Sequence, residues 1–138
     1  YNIFDQSPEE RLFPLCRKRD VGVIARVPLD EGGLTGTIGP STRFDARDFR
    51  AGYFRGDRKR QVAERVAAIE RDLGGASGSL PEIALRFTLS HPAVSSVIPG
   101  MRTVKNAAAN CGIPEKGPLA EATLAILRRH AWKRNFYD

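Results

Sequence analysis

Apolar residues recur along this chain in two rhythms. Over residues 57–73, Val62, Val66, Ile69 and Leu73 return every three or four positions with charges between them, which predicts one apolar stripe on a helix. The same spacing sets Leu80, Ile83, Ala84 and Phe87 on the buried face of a second helix. It also sets Ala120, Leu124, Leu127 and Ala131 on that of a last one over 118–132. Near the start, Leu12, Leu15 and Cys16 predict one apolar helical face. Residues 22–27 and 94–98 follow the other pattern. They are short and rich in valine and isoleucine; Asp20 and Pro28 bound the first, His91-Pro92 and Pro99-Gly100 the second, and both predict strands. The opening Tyr1-Asn2-Ile3-Phe4 reads as the tail of a strand begun upstream, and the first residue is not Met.

Boundaries between these elements are marked by residue type. Ser7 with Glu10, and Ser79 with Glu82, have the spacing of capping boxes, and Thr103 can cap a helix running through Asn110. Pro14 falls inside the first predicted helix, where it predicts a kink. The stretch from Gly74 to Gly78 breaks one helix from the next. Residues 29–36 form a glycine-rich loop, and the chain to about Gly56 reads as irregular.

Alternating strands and helices imply parallel strands joined by right-handed crossovers. Three strands neither close a barrel nor shield both faces of an open sheet. The pattern is therefore two and a half repeats of a larger α/β architecture.

Composition narrows the class. At 138 residues, with 41% hydrophobic and 28% charged, the chain is the size of one globular domain. No apolar run approaches the roughly 20 residues of a membrane span, and the start lacks a signal-peptide pattern. The net charge of +6 suits an anionic partner: nucleic acid, an acidic membrane or a phosphorylated small molecule. Arginines over 43–71 and 128–134 are interspersed with acids and apolar residues. No RNA-binding aromatic pattern or metal-ligand finger accompanies them, so a nucleic-acid module ranks last. Cys16 and Cys111 stand far apart on apolar helical faces, which predicts two buried, reduced thiols and a cytoplasmic setting.

Two loops follow strand ends, where α/β proteins bind ligands. The first is residues 28–36, whose glycines let backbone approach a ligand. The second, Ile98-Pro99-Gly100-Met101-Arg102-Thr103, combines a strand end, a glycine, an arginine and a helix N-terminus. Free amides and the helix dipole favour an anion there, and Arg102 offers a fork to phosphate. Asn106 and Asn110 lie one and two turns along the same helix face.

The segments ARVPLDEGGLTG (25–36), DFRAGYF (48–54), IPGMRT (98–103) with Asn110, and RNFY (134–137) together resemble the C-terminal portion of the aldo-keto reductases. The resemblance runs over essentially the whole chain, in order and in spacing. It implies an eight-stranded parallel (β/α)8 barrel. Residues 1–138 would be one partial domain carrying the end of its sixth strand, its seventh, its eighth and the C-terminal helices, with the N-terminal half as the expected partner. It also implies NADP(H) as cofactor and a small carbonyl compound as substrate. By resemblance, Gly100, Met101, Arg102 and Asn106 grip the 2′-phosphate, with Asn110 near the adenine. Arg26, Val27, Pro28, Leu29, Gly32 and Leu34 border the nicotinamide and pyrophosphate.

At the Arg26 position many family members have a tyrosine that stacks on the nicotinamide. Arginine can also stack, but its charge beside an oxidised, cationic ring predicts weaker NADP+ than NADPH binding. The family's catalytic tyrosine, lysine, aspartate and histidine belong to the first half of the barrel. No motif for them stands in this sequence, so no catalytic or metal-binding residue is assigned. Lys105, at the start of the helix, reads as solvent-facing, and His91 as structural. The alternative from another class is a non-catalytic half-barrel that binds a nucleotide or assembles with a partner chain.

Overall fold

The computed structural model describes residues 1–75 and 78–137; Ala76 and Ser77, within the predicted helix break, and Asp138, at the end of the tail, lie outside the described residues. The elements in order are α1 (Leu12–Lys18), β1 (Val23–Arg26), α2 (Arg50–Tyr53), α3 (Arg58–Leu73), α4 (Leu80–Leu89), β2 (Val94–Ile98), α5 (Val104–Cys111) and α6 (Glu121–Arg128). Short 3-10 turns occupy Ser7–Glu9, Asp30–Thr35 and Pro114–Lys116.

β1 and β2 pair in parallel, Ile24 with Ser96, Ala25 with Val97 and Arg26 with Ile98, after a bulge at Val23/Ile24. The crossover between them contains α3 and α4, as parallel pairing demands. Helices cover one side of this ribbon. Val62, Val66 and Ile69 of α3, Leu80, Ile83, Ala84 and Phe87 of α4, and Leu124 and Leu127 of α6 close one core with Ile3, Phe4, Leu34, Tyr53, Phe54 and Phe136. On the other side Ile24 and Ile98 stay exposed. Among the described residues no helix is long and apolar enough to cross a membrane.

α3, α4, α5 and both strands stand where periodicity and capping residues predict them. Ser79 and Thr103 cap α4 and α5 by accepting from the amides of Glu82 and Asn106. Elsewhere the structure corrects the sequence. Residues 1–4 form no ladder: Asn2 turns the chain by accepting from the amides of Phe4 and Asp5, both at 2.9 Å, and donates to the Val27 carbonyl at 2.9 Å. Ser7 caps nothing because Asp5 takes its hydroxyl at 2.6 Å, and the helix begins only at Leu12.

Pro14 therefore sits in the first turn of α1, where no intrahelical bond is lost and no kink is needed. The late start also rotates the buried face: Phe13 is buried, while Leu12 and Leu15 are exposed. α6 is shorter than its apolar pattern, with Ala120 and Ala131 exposed. Cys16 is half-buried and Cys111 exposed, so neither is the buried thiol expected.

Candidate functional site

The rung pairing Arg26 with Ile98 is the last of the sheet, so the loops that follow leave it side by side, roughly 4.8 Å apart at their roots. That single register brings the two predicted halves of the site together.

The first loop turns sharply at once. Val27 has a φ of 55°, a left-handed conformation that costs a β-branched residue about 1–3 kcal/mol. The turn aims its carbonyl at two donors, the Asn2 side chain at 2.9 Å and the Asp30 amide at 3.0 Å. Asp30 and Glu31 are left-handed as well, at 53° and 54°, followed by Gly32 at 101°. Gly32 is thus needed for its backbone. Gly33 is needed for space, since a Cβ there would lie 2.6 Å from a carboxylate oxygen of Asp30. Pro28 and Leu34 are buried and Leu29 half-buried, so the loop rests on the core while Arg26 remains exposed beside it.

The second loop is open. Gly100, Met101, Arg102 and Asn106 are all exposed, and so are Lys105 and Val104. Arg102 has no hydrogen bond or ion pair among the described residues, leaving its whole fork available. Thr103 satisfies the Asn106 amide at the start of α5, and the first-turn amides, which have no intrahelical carbonyl to bond, are the groups an anion site uses. Asn110 donates its side-chain amide to the Gly100 carbonyl at 3.2 Å, tying the loop to its own helix.

Between the loops lies a segment that sequence reading left irregular. Asp48 and Arg50 pair at 2.6 Å, and Arg50 comes within 4.0 Å of the Cβ position of Gly32. Hydrogen bonds from Arg50 hold the Asp48 carboxyl down to about 2, with the charge of Arg102 adding to the effect. Arg50 thus adjoins the first loop at Gly32.

Sequence reasoning also missed the group beneath the first loop. Asp30 is buried, accepts the Tyr53 hydroxyl at 3.0 Å and pairs with Arg134. The guanidinium of Arg134 stacks over Trp132 at 4.5 Å and Phe136 at 4.7 Å. An acid next to a glycine pair and an arginine flanked by aromatics were the available signals, but 104 positions separate them.

Each tyrosine in the chain donates to a carboxylate: Tyr1 to Glu9, Tyr53 to Asp30 and Tyr137 to Glu31. Burial and those acids push all three phenols upward, Tyr137 to about 12. A proton donor working near neutrality needs the opposite shift. His91 Nδ1 accepts the Ala93 amide at 3.1 Å, a structural bond. Among the described residues no group of three or more His, Cys, Asp or Glu is placed to hold a metal ion.

Two curated relatives match much of the chain. An uncharacterized oxidoreductase of Bacillus subtilis is 27% identical over 139 residues, 99% of this chain and 42% of its own. The NADH-specific methylglyoxal reductase of Escherichia coli is 27% identical over 107 residues, covering 72% of this chain and 31% of the relative. The chain thus spans less than half the length of these curated relatives.

The glycerol dehydrogenase of Gluconobacter oxydans superposes with a TM-score of 0.78 at 22% identity, over 98% of this chain and 42% of that one. The holo form of an aldo-keto reductase from Bacillus halodurans gives 0.68 at 24% identity, over 100% and 44%. These likenesses establish the fold, that of an α/β barrel. The model of the aldo/keto reductase family matches residues 1–131, and the chain belongs to that family.

Proposed function

We propose that this chain is the C-terminal part of an NADP(H)-dependent reductase barrel, carrying its cofactor-gripping side from the end of the sixth strand through the eighth. The observation that carries the reading is Arg102: an unpaired guanidinium beside the free amides of α5, one strand away from the left-handed loop after β1. The dinucleotide, when bound, supplies a hydride for an aldehyde or ketone. Arg102 and the first amides of α5 hold the 2′-phosphate by charge-assisted hydrogen bonds. The loop over 27–34 offers its turned backbone to the pyrophosphate, with Arg50 adjoining at Gly32. Arg26 would border the nicotinamide, where its charge would favour the reduced, neutral ring.

NADP(H) rather than NAD(H) is the finer claim, and one relative bears the name of an NADH-specific enzyme. Arg102→Ala in the complete protein separates the two. Loss of a charge-assisted contact of about 1.5–3 kcal/mol weakens NADPH binding roughly tenfold to a hundredfold, with NADH little changed. Equal losses for both cofactors, read by fluorescence titration, overturn the 2′-phosphate contact.

One observation favours a second reading, a half-barrel completed by another chain. Ile24 and Ile98 are 64% and 55% exposed on the uncovered face of the ribbon, a surface suited to the remaining strands of a barrel.

A further inference from the structure

Three non-glycine residues of the loop after β1, Val27, Asp30 and Glu31, have left-handed backbone and require something to hold them. Loops of this kind persist only where their surroundings over-determine them. Two of the strained residues, Asp30 and Glu31, are each gripped by the C-terminal tail. Arg134, whose side chain is 8% exposed, binds the buried carboxylate of Asp30. Three residues on, the Tyr137 hydroxyl donates to Glu31 Oε1 at 2.9 Å.

The tail itself is anchored behind these contacts. Arg58 donates to the Phe136 carbonyl at 2.7 Å and to the Tyr53 carbonyl at 3.1 Å, and Phe136 is buried in the core. Tyr53 closes the circuit by donating to Asp30 from the other side. The second carboxylate oxygen of Asp30 has no hydrogen-bond partner and lies against Gly33, so the acid fits only with that glycine and that loop geometry.

We propose that residues 134–137 form a strap that sets the conformation of the loop over 29–36, with Arg134 and Tyr137 as its positioning residues. Both hold the left-handed turn at Asp30 and Glu31, and with it the row of backbone groups the loop presents. The inference rests on the cofactor reading above only for its second consequence, affinity; its first consequence, loop order, is independent of any ligand.

The test measures amide hydrogen exchange of the full chain without cofactor, then NADPH and NADH binding, in Tyr137→Phe, Arg134→Met and Arg134→Lys. Tyr137 is 65% exposed, so removing its hydroxyl leaves the core intact. Exchange over 29–36 should rise roughly two- to tenfold in Tyr137→Phe. In Arg134→Met, which strands a buried carboxylate, it should rise more than about tenfold, and Arg134→Lys should recover part of the loss. Both cofactors should weaken by the same factor, unlike in Arg102→Ala.

Unchanged loop exchange in Tyr137→Phe and Arg134→Met overturns the strap. So does a rise shared equally by α3 and α4, which would make Arg134 a global stabiliser. A local rise with unaltered cofactor affinity overturns the positioning role. A local rise in a chain that binds neither cofactor even as wild type supports the strap and removes the cofactor reading instead.

Discussion

His91 shows how one side chain can make stability depend on pH without any part in binding. Its Nδ1 accepts the Ala93 amide at 3.1 Å, and its ring packs on Phe13 at 4.6 Å and Tyr1 at 5.6 Å. An accepting nitrogen carries no proton, so the folded state prefers the neutral ring. Burial lowers its pKa below the ordinary 6.5, Glu9 opposes this, and Arg17 and Arg128 reinforce it. The unfolded chain therefore takes up a proton near pH 6.5 that the folded chain resists. Stability is full above that value and falls as pH drops through it, levelling only below the lower folded pKa. His130, also lowered by burial with Asp72 opposing, acts in the same direction. The depressed Asp48 carboxyl loses its contribution only further down, below its ordinary 3.8. Thermal melts between pH 7.5 and 5.5 should thus show a falling Tm. His91→Asn keeps an acceptor for Ala93 but does not titrate, so its slope should be shallower; an unaltered slope removes His91 from the account.

Among the elements, α4 and α5 have similar caps but depend on them differently. α4 buries Leu80, Ile83, Ala84, Leu85 and Phe87, so packing holds it and the Ser79 bond adds little. α5 buries no residue among those described and rests on its alanines and on Thr103. Thr103→Ala should cost about 1 kcal/mol locally. Amide exchange across α5 should quicken several-fold while Tm hardly moves, and a global drop in Tm would mean that α5 is coupled to the core after all. Such caps and apolar rhythms are local signals, which is why α3, α4, α5 and both strands were legible in the sequence. The start of α1 was not, because Asp5 competes for the Ser7 hydroxyl, and nothing in the Ser7/Glu10 spacing reveals a competitor. The site divides along the same line. Gly32 and Arg102 could be read from a glycine-rich loop after a strand and from a helix start, and Arg26 only from the family resemblance. Asp30, Arg134 and the Asp48–Arg50 pair depend on contacts that only the folded chain brings together.

At the scale of the molecule, one face of the sheet is finished and the other is not. Ala25 turns toward the helices and is buried, whereas Ile24, Arg26, Ser96 and Ile98, on the opposite face in register, are exposed. The ribbon has two strands, so each also has an outer edge with unpaired backbone groups. A surface with two exposed isoleucines beside open strand edges associates with whatever offers matching strands. The 138-residue chain alone should therefore scatter light as a species larger than its 15.2 kDa, increasingly so with concentration. Ile24→Lys combined with Ile98→Lys puts charge at the centre of that face while leaving the helical core untouched. It should shift the population toward monomer with α3 and α4 still folded by circular dichroism. If the wild-type chain is instead a concentration-independent monomer, the exposed face is tolerated as it stands, and a half-barrel built to join a second chain loses its support. If the double variant unfolds rather than dissociates, the sheet face is already covered from within the chain in solution, and Ile24 and Ile98 belong to the core.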